Sequence, residues 1–295
     1  MMKVGLFDID GKIPNLALMK LSAWHKARGD TVELSAPVFA GGYDVAYASK
    51  VFTWTDAPGM PDYVQTGGTG YDLTTTLPEE VENTCPDYSL YKMDYSMGFL
   101  TRGCIRKCSF CFVPEKEGMI KPAADIDDFL RHKKAVLLDN NVLAHEHGIK
   151  QIEKIGRLGI KIDFNQGLDA RLIDEGIARR LSMVKWLKPV RLACDNQGMK
   201  GAVEAAVKLL RKHGTTPKAY FCYMLVTEDV EEALDRAEFL RGLKVDPFAM
   251  PFRDINGKPA NHESRLFANW VNKKACFKSC SWEEFRKTYI GGDIH

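Results

Sequence analysis

The sequence predicts an α/β protein in three successive parts: a small Rossmann-like sheet, a longer run of strand–helix units, and a short helical tail. Three observations carry this. Short apolar runs of strand length alternate with helically spaced apolar residues along most of the 295 residues. The alternation lapses between Leu77 and Tyr95, in a connector containing Pro78, Pro86 and several tyrosines. It stops again near Asp254, where the pattern turns irregular. The expected parts are therefore residues 1–85, 86–253 and 254–295.

In the first part, Val4–Ile9 is a compact apolar run closed by the turn signal Asp10-Gly11. Pro14 starts a helix on which Leu16, Met19, Ala23 and Ala27 recur before Gly29 ends it. Thr31–Leu34, Asp44–Phe52 and Tyr63–Thr66 read as further strands, the last running into Gly67-Gly68-Thr69-Gly70. Such alternation implies a mostly parallel sheet with its loops at the strands' C-terminal edge.

In the second part the candidate strands are Met97–Thr101, Ala135–Leu138, Ile160–Phe164, Val190–Cys194, Ala219–Leu225 and Val245–Met250. Between them, Val203, Val207 and Leu210 line one helix face, and Val230, Leu234, Ala237 and Leu240 another. Thr227-Glu228-Asp229 is a sound helix start. These units suit a barrel, or part of one, better than a second doubly wound sheet, but periodicity does not decide. The tail is expected to hold two short helices, around Phe267–Val271 and Glu283–Tyr289.

A formal net charge of +2, with acids and bases interspersed, gives no electrostatic case for a nucleic-acid surface. No apolar stretch reaches the ~18 residues of a membrane span, and the N-terminal run reads as a strand rather than a signal peptide. The eight cysteines are unevenly clustered. That favours a reducing compartment, the cytoplasm, and metal chemistry over disulfides.

The strongest cluster is Thr101-Arg102-Gly103-Cys104-Ile105-Arg106-Lys107-Cys108-Ser109-Phe110-Cys111. Three thiolates on one loop can converge on a soft metal centre. A structural zinc or a saturated cluster takes four protein ligands, so three leave one position open. A zinc knuckle completed by Cys85 or His132 is the alternative. The C-x₃-C-x₂-C spacing, with an aromatic residue before its last cysteine, resembles the signature of the radical S-adenosylmethionine (SAM) superfamily. The Arg-Gly-Cys lead-in and Cys-Ser-Phe-Cys ending look like the subgroup with a cobalamin-binding-type domain ahead of the barrel.

The resemblance spans approximately Ser96 to Phe252. It implies a cobalamin-binding-type front domain, a partial (β/α)6 radical SAM barrel, and a [4Fe–4S] cluster held by Cys104, Cys108 and Cys111. Reductive SAM cleavage at that cluster would yield a 5′-deoxyadenosyl radical that abstracts hydrogen from a substrate the sequence does not identify. An electron donor such as flavodoxin or ferredoxin is implied as partner. Phe110 falls within the signature. By position, Asp139 and Asn140 match the residues that hold the SAM amine, though in Leu-Asp-Asn-Asn rather than a Gly-Gly-Glu-type motif; a helix-capping turn is the other reading. Arg171 matches the arginine following the third strand and could pair with the SAM carboxylate, or with Asp169 or Asp174. Asp195 and Asn196 stand where relatives place a Glu-Ser pair near the SAM ribose; an Asp-Asn turn is the alternative. Phe248, Met250 and Pro251 could line the adenine or belong to the core.

The front part looks like a shortened cobalamin-binding fold, which brings cobalamin into view as a further cofactor. Asp8-Ile9-Asp10-Gly11-Lys12 lacks the histidine of the Asp-x-His-x-x-Gly loop. Gly67-Gly68-Thr69-Gly70 would admit a corrin tail or phosphate, or simply make a tight turn. Cys276 and Cys280 read as unligated tail cysteines, a second cluster or zinc ion helped by Cys85 or His262 being the alternative; Cys194 and Cys222 read as core, and His145 and His147 as a helix entrance. The rival functions are a cobalamin-dependent radical SAM methyltransferase, a methylthiotransferase-like nucleic-acid modifier, and a non-catalytic zinc or iron–sulfur binding module. The methylthiotransferase's extra cluster domain and RNA-binding barrel are not visible in the sequence.

Overall fold

A computed structural model describes residues 1–11, 13–215 and 220–290. Lys12 and Ala219, each part of an expected element, lie outside them. The front sheet holds β1 (Lys3–Asp8), β2 (Thr31–Leu34), β3 (Val45–Ser49) and β4 (Val64–Gly67) in the order β2-β1-β3-β4, all parallel. Thr31–Leu34 has its expected bounds, and the other three strands are present with shifted ends. The helix Leu16–Ala27 is capped by Asn15, whose Oδ1 accepts from Leu18 N at 3.2 Å; Pro14 lies before the cap. An oxygen side chain satisfies an otherwise orphaned helix N–H, which proline cannot do.

The second run contains β5 (Ser96–Gly98), β6 (Thr101–Arg102), β7 (Lys121–Pro122), β8 (Lys134–Leu137), β9 (Lys161–Phe164), β10 (Lys185–Trp186), β11 (Val190–Ala193), β12 (Tyr220–Val226) and β13 (Asp246–Pro251). Parallel sheets β10-β9-β8-β5 and β11-β12-β13 adjoin where Leu168 bridges Leu192. Leu168 N donates to Arg191 O at 2.8 Å there. The expected first strand, Met97–Thr101, is broken. Phe99 and Leu100 leave the sheet, and Thr101–Arg102 pairs antiparallel with Lys121–Pro122. The cause is Asp139, whose carboxylate takes the Leu100 and Thr101 N–H groups.

Alternation along β12 sorts its side chains. Tyr220, Cys222, Met224 and Val226 are buried, in one core with the helices Lys200–Lys212 and Val230–Gly242. Phe221, Tyr223 and Leu225 face the other way and stay partly accessible. The tail is more ordered than its sequence suggested, with helices His262–Asn272, Lys274–Ser279 and Trp282–Ile290. Phe267, Trp270, Phe277 and Trp282 bury themselves in that same core.

Helix His262–Asn272 also finishes the outer edge of β13. Ala249 N donates to Asn272 Oδ1 at 2.8 Å, and Asn272 Nδ2 donates to Ala249 O at 2.9 Å. Residues two apart on a strand point their amides the same way, so Pro247, Ala249 and Pro251 share this edge. Two of the three have no N–H, and the third is occupied.

The front sheet meets the second run through its C-terminal edge. Tyr91 OH donates to Asp8 Oδ2 at 2.7 Å, at the end of β1. Beyond β3, Trp54 lies under the Arg253 guanidinium, 4.7 Å from its ring centroid. Beyond β4, Asp72 O and Thr75 O accept from Lys116 Nζ at 3.3 and 3.0 Å. No helix among the described residues is long and apolar enough to cross a membrane.

Candidate functional site

The cysteine loop leaves the short β6–β7 ribbon at Gly103. This residue has φ +81°, and a Cβ there would lie 2.6 Å from Met119 O and 2.7 Å from Gly118 O. Only glycine fits, and the close approach lets Cys104 N reach Gly118 O at 3.2 Å. Glu117 fastens the same corner. Its Oε2 accepts from Gly103 N and Asn140 Nδ2, both at 2.8 Å, and its Oε1 lies 3.1 Å from Arg102 Nη2.

All three loop cysteines are free thiols, Cys104 and Cys108 half-buried and Cys111 exposed. Two N–H groups point at Cys104 Sγ, from Arg106 N at 3.3 Å and Asn141 Nδ2 at 3.5 Å. Burial pushes the Cys108 thiol up; Arg171 opposes this, while Asp195, Cys104 and Asp169 add to it. The charges of three strand ends are thus felt at one sulfur. Among the described residues, no three His, Cys, Asp or Glu side chains stand together in metal-holding geometry. The three thiols are nonetheless in electrostatic reach of one another: burial pushes the Cys111 thiol up, and Cys108 and Cys104 add to it.

The structure divides the other expected site residues. Asp139 is 4% exposed, and its Oδ1 accepts from Thr101 N at 2.6 Å, Thr101 Oγ1 at 2.7 Å and Leu100 N at 3.1 Å. Burial pushes its pKa up to about 6 against the pull of those donors. Its carboxylate thus holds the approach to the cysteine loop, and Asn140 does likewise through Glu117. Arg171 grips Asp169 with two parallel bonds, Nε to Oδ1 at 2.6 Å and Nη2 to Oδ2 at 3.0 Å. Asp195 Oδ1 accepts from Leu225 N at 3.1 Å; its Oδ2 takes no hydrogen bond among the described residues. Asn196 is exposed and precedes the short turn Gln197–Met199, with no side-chain cap. Phe110 is 38% exposed.

Of the two partners expected for Arg171 besides SAM, Asp169 is the one it holds; the other residues that join these loops were missed in the sequence. Asp169 receives Arg106 Nε at 2.9 Å, Arg171 at both oxygens, and Asn141 Nδ2 at 3.2 Å. Burial acts to raise its pKa, but the two guanidiniums prevail and hold it below the usual carboxylate range. Arg236, fully buried, donates to Cys194 O and Leu225 O, both at 2.7 Å, from beneath Asp195. On the open face Arg191 joins Asp163 Oδ2 at 2.8 Å, Tyr223 OH at 2.6 Å and Asn165 Oδ1 at 3.2 Å. Of these, only the Asp169–Arg171 pair had a local signal, an acid and a base two residues apart.

The remaining cysteines and histidines lie elsewhere. His132 bonds Ser96 Oγ at 3.1 Å and meets the Tyr88 ring, at the N-terminal end of β5. Cys85 packs near Tyr88 and Met97. Both are thus at the opposite strand end from the triad. Cys194 and Cys222 are buried core, Cys280 Sγ donates to Cys276 O at 3.3 Å, and His145 caps the helix Glu146–Leu158.

In the front sheet the glycine loop packs on its own chain. A Cβ at Gly68 would lie 2.4 Å from Lys50 O, and one at Gly70 2.7 Å from Lys50 Cγ. The missing side chains at these two glycines let the loop close tightly on Lys50. Asp10 is likewise engaged, accepting from Val51 N at 2.5 Å and Thr55 Oγ1 at 2.6 Å.

No family model matches the sequence, and no curated protein does. Among solved structures, SuiB of Streptococcus suis bound to S-adenosylmethionine is similar, with a TM-score of 0.46 and 13% identity over 65% of this chain. SuiB bound to the precursor peptide SuiA gives a TM-score of 0.46 and 14% identity over 70%. The aligned region spans about half of those proteins, 51% and 50% of their chains.

Proposed function

We propose that this chain is a radical SAM enzyme in which Cys104, Cys108 and Cys111 hold a [4Fe–4S] cluster. The observation that carries the reading is the loop itself: three free thiols at the C-terminal strand edge, with Arg171 and Asp195 in electrostatic reach of Cys108. Three thiolates fit such a cluster and leave one iron open, and backbone and amide N–H groups already point at Cys104 Sγ. When bound and reduced, such a cluster would supply the one electron needed to cleave SAM into methionine and a 5′-deoxyadenosyl radical, the species that would abstract hydrogen from substrate.

The chain's own residues bind and orient. Asp195 Oδ2 is open to a donor such as a ribose hydroxyl, and Arg171, held by Asp169, offers a fixed positive charge for a carboxylate. Asn196 and Phe110 are accessible enough to take part. Asp139 and Asn140 shape the cysteine loop in place of the amine-holding role their position suggests. No step through cobalamin is proposed: the front glycines serve to close their loop on Lys50, and Asp10 is engaged by Val51 and Thr55.

The test is anaerobic reconstitution with iron and sulfide. About four irons per chain and release of 5′-deoxyadenosine from SAM under reduction are expected, with both lost in Cys108→Ala. Zinc retention, or a cluster that never cleaves SAM, overturns the reading.

A further inference from the structure

Among the described residues, one side chain donates to a triad sulfur: Asn141 Nδ2, at 3.5 Å from Cys104 Sγ. We propose that Asn141 tunes the cluster's reduction potential through this N–H···S bond, with Asp169 holding the amide in the donating orientation. The inference rests on the reading above that Cys104 ligates a cluster.

The orientation follows from chemistry. Asp169 accepts from Asn141 Nδ2 at 3.2 Å, and an ionised carboxylate cannot donate, so the NH₂ end of the amide must face Asp169 and Cys104. Asp169 is itself fixed by Arg106 and Arg171. Asn141 is 3% exposed and opens the turn Val142–Ala144, whose Val142 and Leu143 are buried in the main core. Neither backbone nor side chain is free to drift.

The other end of the amide shows what this pose costs. Asn141 Oδ1 is buried and takes no hydrogen bond among the described residues. A buried orphan acceptor is unfavourable and marks a group held for what its other atoms do. Reduction adds one electron, from a low-potential one-electron donor protein or a chemical reductant, and raises the negative charge on the ligating sulfurs. An N–H donor to sulfur favours the reduced form, more so where solvent is excluded.

The experiment is a redox titration of the reconstituted full chain, followed by electron paramagnetic resonance, without SAM or substrate. Asn141→Leu and Asn141→Ala remove the donor. Both are expected to keep wild-type iron content while the reduced-to-oxidised ratio at a fixed potential falls about tenfold, a shift of about 59 mV for a one-electron couple. Wild-type ratios with full iron overturn the proposal. So does loss of iron in both variants, which would make Asn141 part of assembly rather than tuning. A wild-type chain that takes up zinc or no cluster overturns the parent reading, and this proposal with it, before any variant is measured.

Discussion

Asp169 and Arg171, two residues apart, are locked by paired hydrogen bonds of 2.6 and 3.0 Å, and the same carboxylate holds Arg106 of the cysteine loop. Removing it leaves two guanidiniums and the Asn141 amide without their shared acceptor. Asp169→Ala is expected to lower stability by about 2 kcal/mol, the scale of hydrogen bonds to a charged group. Urea denaturation measures this, and an unchanged midpoint would show that the three loops hold without the carboxylate.

Asp139 predicts a pH effect. Its folded pKa of about 6 lies above the ordinary carboxylate value of 3.8. Below about pH 4 both folded and unfolded chains hold the proton; between about 4 and 6 only the folded one does. Its contribution to stability therefore falls as pH rises through that window, by about 3 kcal/mol in all. The stability difference between wild type and Asp139→Asn, measured from pH 4 to 7, should follow that fall. A flat difference would refute it.

Gly103→Ala forces a left-handed residue against two carbonyl oxygens. The conformation alone costs about 1–2 kcal/mol. The variant should unfold at lower urea and take up less iron on reconstitution. Wild-type behaviour in both assays would mean the corner can be turned another way.

Arg236→Met leaves Cys194 O and Leu225 O unpaired and Glu232 without its partner. A loss of about 3 kcal/mol is expected, the scale of breaking a buried pair, with Arg236→Lys in between. Thermal unfolding decides it; a Met variant melting with wild type would mean water replaces the guanidinium.

Strand positions were legible because each is a local apolar run, and β12 and β13 fall within a residue or so of their expected bounds. The break after Gly98 was not legible. It depends on Asp139, whose carboxylate arrives from a strand end 38 residues from Thr101. The same holds across the site. The cysteine spacing is local and could be read, whereas Asn141, Glu117 and Arg236 gain their roles from partners on other elements. A carboxylate at a strand end looks alike in sequence whether it takes a single backbone amide, as Asp195 does, or is consumed by two and a hydroxyl, as Asp139 is. The tail helices were underestimated because Trp270 and Trp282, on different helices, meet each other with ring centroids 5.8 Å apart and join the main core, contacts between elements that no local pattern shows.

The edge of β13 bears on how any extended polypeptide would meet this molecule. With Pro247 and Pro251 lacking an amide hydrogen and Asn272 occupying Ala249, an incoming chain finds no ladder of donors to zip onto. Recognition at that flank has to come from side-chain chemistry, so sequence-blind docking and self-association through this strand are disfavoured together. A visitor there is chosen by what it carries, and it can leave without unpicking a sheet.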